Sequence, residues 1–134
     1  MLDARLQGFL LAVVLVGCKP IEPGAGGPAP VPLSFGLSSY MSVRDAQDHF
    51  IEHFPTRRVD HPTPETGHCP RFDMTQVTID GFVTNGARGK LDLGFVNDRL
   101  YWVTFCPEDS ARPATKSIDE NLGKQVSDWL AYCT

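Results

Sequence analysis

The chain has 134 residues, a formal net charge of −4 and 42% hydrophobic residues. This length suffices for one folded domain with a tether, and the hydrophobic content excludes a chain that is disordered throughout. The acidic balance, with Arg and Lys scattered along the chain, excludes the clustered basic face that nucleic-acid binding requires. We therefore expect one small domain with no nucleic-acid partner.

The N-terminus contains a short apolar run that ends in Leu15-Val16-Gly17-Cys18. Residues 8–17 make up about half of the roughly 20 residues that a membrane-spanning helix needs, and this length is typical of a signal-peptide core. The four residues resemble the lipobox of bacterial lipoproteins, in which such a cysteine is acylated and becomes the mature N-terminus. The resemblance implies a signal peptide over residues 1–17 and a membrane bound through the lipid on Cys18. The alternative is an ordinary secretory signal with an incidental cysteine.

The segment after Cys18 is rich in proline and glycine: residues 19–33 contain five prolines and three glycines. Because proline removes backbone donors and glycine disfavours ordering, we expect residues 18–33 to form a tether outside the packed core. The domain proper is then residues 34–134. In lipoproteins of double-membraned bacteria an aspartate after the cysteine favours the inner membrane, so Lys19 implies the outer membrane by the same resemblance.

Two capping-box patterns predict two helices. The pattern at residues 42–45 begins a helix with apolar residues at helical spacing, and Pro55 ends it. The pattern at residues 117–120 begins a helix that extends to about Cys133. Its predicted apolar face consists of Ile118, Leu122, Val126, Trp129 and Cys133. Residues 55–73, which contain four prolines, are predicted to form a long loop.

Alternating hydrophobicity predicts three antiparallel strands, over residues 75–83, 90–96 and 99–105. Asn97 and Asp98 suit a two-residue hairpin turn because both tolerate positive φ. In the resulting register Val96 faces Arg99, Phe95 faces Leu100, Leu93 faces Trp102 and Leu91 faces Thr104. The predicted core face is Leu91, Leu93, Phe95, Leu100 and Trp102. The fold class is therefore an α+β sandwich in the order α-β-β-β-α, with a three-stranded antiparallel meander and two helices.

The same register places Tyr101, Val103 and Phe105 on the opposite face of the sheet. If both helices cover one face, these three side chains form an exposed apolar patch of the kind that binds a protein partner. The alternatives are that one helix packs on each face, or that residues 55–73 cover the patch. The sequence does not identify the partner.

The element order resembles that of small outer-membrane lipoproteins of the SmpA/OmlA type. The local likeness lies in residues 41–46 and in the hairpin of residues 96–105. The resemblance implies an architecture, a helical part followed by a three-stranded sheet, but not a role. Here one helix precedes the sheet and one follows it, whereas that family usually has two before it.

The cysteines predict one disulfide, because an exported location permits such bonds. With Cys18 acylated, three cysteines remain and one is left over. A helix of roughly 16 residues covers about 24 Å, about the length of a seven-residue strand. Returning antiparallel to the third strand, it brings Cys133 to the end of the sheet where Cys69 lies. We therefore predict a Cys69–Cys133 disulfide and an unpaired Cys106, with Cys69–Cys106 as the alternative.

His49, Glu52 and His53 match H-x-x-E-H, the inverted zinc-peptidase motif. On a helix the two histidines share a face and can bind zinc, while the glutamate activates a bound water. On the predicted helix, however, His49 and Glu52 lie away from the apolar stripe, where no walled pocket forms. We therefore expect no catalytic residue, no metal and no cofactor.

These features together favour a lipid-anchored cell-envelope protein that acts as a non-catalytic binding or assembly accessory module. A small zinc-dependent hydrolase that uses residues 49–53 is one alternative. A lipid-tethered inhibitor or immunity-type protein is the other, since small size, acidity and a disulfide are compatible with it.

Overall fold

The computed structural model describes residues 22–24, 29–50, 54–62 and 72–133. Over these residues five antiparallel strands form one sheet in chain order, and two α-helices pack against it. The α+β class is confirmed, but the three-stranded meander is wrong because the sheet has five strands. A short 3-10 turn at Ser34–Gly36 precedes the elements α1 (Val43–Phe50), β1 (Thr56–Pro62), β2 (Asp73–Thr84), β3 (Ala87–Val96), β4 (Arg99–Pro107), β5 (Thr115–Ile118) and α2 (Glu120–Cys133).

β1 occupies part of the predicted loop at residues 55–73. It pairs with β2 from Thr56 opposite Ile79 to Pro62 opposite Asp73. Nearly the whole strand is exposed on both faces, so its sequence carries no alternation of apolar and polar residues. β1 is held by backbone hydrogen bonds with β2, and neither of its faces is buried. The pattern of hydrophobic residues therefore did not predict this strand.

The helix starts follow from local side-chain hydrogen bonds. At α1 the Ser42 hydroxyl accepts the backbone N–H of Asp45 at 3.1 Å, as the capping pattern predicted. At α2 the capping residue is Asp119, whose Oδ1 accepts the N–H of Leu122 at 3.1 Å. The predicted cap, Ser117, lies in β5 instead, and its hydroxyl accepts the N–H of Ser34 at 3.0 Å. The second helix therefore exists as predicted but begins after a strand.

The β3–β4 hairpin turns at Asn97 and Asp98, with φ values of 46° and 63°. This confirms the predicted turn, and Val96 pairs with Arg99 as expected. The predicted pairing of Phe95 with Leu100 is also confirmed.

A bulge then shifts the rest of β4 by one residue. The register changes between Gly94 and Phe95, so that Gly94 pairs with Trp102 and Tyr101 becomes the extra residue. A shift of one residue exchanges the two faces of a strand. Leu93 consequently faces Val103, and Leu91 faces Phe105, so the predicted pairs with Trp102 and Thr104 are wrong.

One core cluster lies between the sheet and α1. Its centre is Phe82, whose ring contacts those of Phe35, Phe50, Phe54 and Phe105 at centroid distances of 5.1, 5.7, 5.5 and 5.9 Å. Phe35 and Phe54 are partly buried. Besides Phe50, Phe82 and Phe105, the buried members are Leu33, Leu37, Val43, Ala46, Val77, Ile79, Leu91, Leu93, Phe95, Leu100 and Val103.

A second cluster lies under α2. Trp129 packs on Phe72 at a centroid distance of 6.2 Å. The cluster comprises Phe72, Val96, Tyr101, Leu122, Val126, Trp129 and Cys133. The predicted apolar face of the second helix is confirmed except for Ile118, which belongs to β5. Each helix thus packs with its own core cluster. This agrees with the alternative in which one helix packs on each face of the sheet.

Part of the predicted tether packs on the domain. Leu33 is buried in the first cluster, and Pro23 is fully buried. The backbone N–H of Val31 donates to the hydroxyl of Ser39 at 2.8 Å. The expectation that residues 18–33 stay outside the core is wrong at Leu33, whose side chain packs in the first cluster.

Candidate functional site

An apolar groove of about 760 Å³ lies between α2 and the β4–β5 part of the sheet. Its volume is within the range of roughly 300–1,000 Å³ that is common for ligand sites. Side chains of β4 and β5, together with Met74 of β2, form the floor, and residues of α2 form the wall. The principal lining residues are Tyr101, Trp102, Thr104, Lys116, Ile118, Gly123, Val126, Ser127 and Leu130.

The local fold explains why this space is open. α2 begins directly after β5, and its start is held against β4 because the N–H of Asp119 donates to the carbonyl of Tyr101 at 2.8 Å. Gly123, which has no side chain, and Ser127, which has a small one, then lie one helical turn apart on the groove wall. A Cβ at Gly123 would lie 3.0 Å from Ile118 Cδ1, so the glycine leaves room beside the floor.

The groove follows α2 from Glu120 to Leu130, which corresponds to about 15 Å of helix. Ile118 is 43% exposed at its floor. The groove is thus elongated and presents apolar surface to solvent.

Charged side chains surround the groove without forming a catalytic arrangement. Lys116, Lys124 and Glu120 are exposed among its lining residues, and Lys124 pairs with Asp128 at 2.6 Å. Burial raises the pKa of the Tyr101 phenol, with a smaller opposing effect from a hydrogen bond with Trp102. The phenol of Tyr101 therefore keeps its proton more firmly than an exposed tyrosine does.

The groove opens at an edge of the sheet. β5 is the last strand and pairs with β4 alone. Its residues Lys116 and Ile118 line the groove. Edge strands provide backbone groups to which an extended peptide can pair. The other edge, β1, carries Arg57, Arg58 and Asp60 and ends at Pro62, features that oppose such pairing.

A second cavity, of about 480 Å³ and polar, lies where α1 begins beside the β3–β4 turn. Asp60 accepts hydrogen bonds from Thr75 at 2.8 Å and from Arg58 at 3.0 Å, which hold the pKa of its carboxyl below the usual range. Asp98 accepts the backbone N–H of Val43 at 2.8 Å. These acids already have partners within the fold, so the cavity is a weaker candidate than the groove.

The three residues predicted to form a partner surface are buried. Tyr101, Val103 and Phe105 are 8%, 0% and 1% exposed. The β4 bulge separates them, because it turns Val103 and Phe105 into the first core cluster while Tyr101 lines the groove. The predicted exposed patch is therefore wrong, and the apolar surface lies instead at Trp102 and Ile118.

The predicted states of two cysteines, Cys133 and Cys106, agree with the structure. Cys133 is disulfide-bonded, and Cys106 has a free, partly buried thiol. The predicted partner, Cys69, lies outside the described residues, so the pairing Cys69–Cys133 stays a prediction. Cys18, the predicted lipidation site, also lies outside them.

The H-x-x-E-H motif falls only partly within the structure. His49 is exposed on α1, and its ring packs edge-on against Phe50 at a centroid distance of 4.8 Å. Glu52 and His53 lie outside the described residues. Within the described part of the chain, no group of three or more His, Cys, Asp or Glu side chains is placed to hold a metal ion.

Among the helices of the described ranges, none is long and apolar enough to cross a membrane. Comparison with known proteins found no protein family, no curated protein and no solved structure that matches this chain. The resemblances drawn from residues 15–18 and 96–105 therefore stay predictions, and the geometry of the groove is the basis for a functional proposal.

Proposed function

We propose that this protein is a lipid-anchored cell-envelope protein that acts by binding, and that its partner docks in the groove between α2 and β4–β5. The observation that carries the proposal is the elongated apolar groove with Ile118 exposed at its floor. Clefts of this size that are lined mainly by apolar side chains are the common form of a binding site.

The partner that fits this site is an extended segment of another polypeptide with apolar side chains at alternate positions. Such a segment can pair its backbone along β5 and insert side chains between Trp102 and α2. A groove of about 15 Å accommodates four or five residues at roughly 3.3 Å per residue. This matches the four residues of β5.

The location in the envelope follows from the lipobox resemblance at residues 15–18, and Lys19 supports the outer membrane within that proposal. The exposed position of His49 supports binding over zinc hydrolysis, because a catalytic zinc requires a walled pocket. The proposed protein is therefore a tethered accessory module, and its activity is the capture of a polypeptide segment.

A bulky side chain that fills the groove is expected to prevent the binding of an apolar fluorescent dye. In a soluble form that begins at residue 19, Ser127→Phe places a ring within the groove, because Ser127 lies on its wall. We expect 1-anilinonaphthalene-8-sulfonate to bind the wild type and to lose most of its fluorescence enhancement with Ser127→Phe.

Ser127→Ala is the matched control, since it leaves the groove open and should retain dye binding. Circular dichroism checks that all three forms are folded. Equal dye fluorescence in the Phe and Ala variants would contradict the proposed site.

A further inference from the structure

The described residues nearest to the proposed anchor, residues 22–24, sit on the β3–β4 turn. The side-chain amide of Asn97 donates to Glu22 Oε1 at 2.8 Å and to the carbonyl of Pro23 at 3.4 Å. Pro23 is fully buried. We name the contact of residues 22–24 with Asn97 and Arg99 the latch.

Within the latch, Gly24 packs against the side chain of Arg99. Its φ of +80° is a conformation that favours glycine, and a Cβ at this position would lie 2.6 Å from Arg99 Cδ. The Arg99 side chain is itself held, because its Nη1 donates to the carbonyl of Asn97 at 2.9 Å. The chain is therefore attached to the hairpin turn by side-chain packing and by hydrogen bonds.

The latch restricts where an anchor at Cys18 can lie. Glu22 lies four positions after Cys18, and four extended steps of the backbone reach at most about 14 Å. The opposite end of the domain is farther from Glu22. β3 has ten residues between the two hairpin turns, which corresponds to about 33 Å. One end of the domain is thus tied close to the anchor, while the other end lies a strand length away.

We infer that the latch orients the domain on the membrane, with the β3–β4 turn and the start of α1 facing the lipid headgroups. This inference rests on the proposed lipid anchor at Cys18. The polar cavity of about 480 Å³ lies at this membrane-facing end. The turn at Asn85 and Gly86 and the segment after β4 point away from the bilayer.

Resonance energy transfer to headgroup-labelled lipid tests the orientation. The full-length lipidated protein, with Cys106→Ser, is reconstituted in vesicles of phosphatidylethanolamine and phosphatidylglycerol. A donor dye is attached either at Arg44→Cys, on α1 beside the latch, or at Asp109→Cys, beyond the far end of β4. Both positions are exposed. We expect strong transfer from position 44 and clearly weaker transfer from position 109.

Gly24→Val disrupts the latch and is expected to remove most of the difference between the two positions. Ala29→Val introduces the same side chain at an exposed position outside the latch, and should preserve the difference. Flotation of the vesicles monitors the anchor separately. Protein that floats but gives equal transfer at both positions would overturn the orientation alone, whereas protein that does not float would overturn the anchor and the orientation together.

Discussion

Replacement of Phe105 with alanine is expected to lower the free energy of unfolding by about 3–5 kcal/mol. The β4 bulge directs this side chain into the first core cluster, where it is 1% exposed and packs against Phe82 and Phe35 at centroid distances of 5.9 and 6.2 Å. Its removal leaves a cavity that rigid neighbours from the sheet and the 3-10 turn cannot fill. Urea denaturation of the soluble form, followed by tryptophan fluorescence, measures the change.

Val83→Ala is the control, because Val83 lies on β2 of the same sheet and is 54% exposed. Its effect should stay within about 0.5 kcal/mol. If Phe105→Ala were as mild as Val83→Ala, Phe105 would lie on an exposed face, as the register without a bulge predicts, and the structure of β4 would be wrong.

Cys18→Ser is expected to abolish the acylated, processed form of the protein. Multiple acyl chains on one cysteine give stable membrane anchoring, and serine cannot carry the thioether-linked lipid. The variant should therefore leave the membrane fraction or retain residues 1–17. Fractionation followed by intact-mass measurement distinguishes these forms.

Cys106→Ser is the matched control, since it removes the free thiol and should leave fractionation and the lipid mass unchanged. A Cys18→Ser protein that is processed and still bound to the membrane would show that something other than Cys18 provides the anchor.

The predictable parts of the fold are those that local chemistry determines. Ser42 begins α1 through a hydrogen bond to a residue three positions away. The Asn97–Asp98 turn follows from the tolerance of both residues for positive φ. The buried face of α2 repeats at helical spacing, so periodicity alone reveals it.

The two edge strands were missed for different reasons. β1 is exposed along nearly all its length, so no apolar alternation marks it, and the neighbouring prolines resemble those of a loop. At β5, Ser117 and Glu120 match a capping box, but Asp119 offers a competing cap and makes the hydrogen bond to Leu122. Because residues 115–118 pair with β4, Asp119 and not Ser117 caps the helix. This pairing is a tertiary interaction, which the local sequence pattern does not contain.

The candidate site depended on the bulge, which hydrophobic alternation does not encode. One signal for it was present: a glycine inside a strand often marks a bulge or a close approach. Gly94 meets this description, since the Trp102 indole covers it and leaves no space for a Cβ. Because of this contact, Trp102 lies beside α2 in the groove and not in the predicted core.

Photo-crosslinking in intact cells tests directly whether the groove binds a polypeptide. A photoreactive amino acid replaces Ser127, on the groove wall, or Asn121, an exposed residue of the same helix that does not line the groove. If a polypeptide binds in the groove, position 127 gives one discrete protein adduct in the membrane fraction and position 121 gives none. Absence of an adduct at position 127, or equal adducts at both positions, would contradict a binding function for the groove.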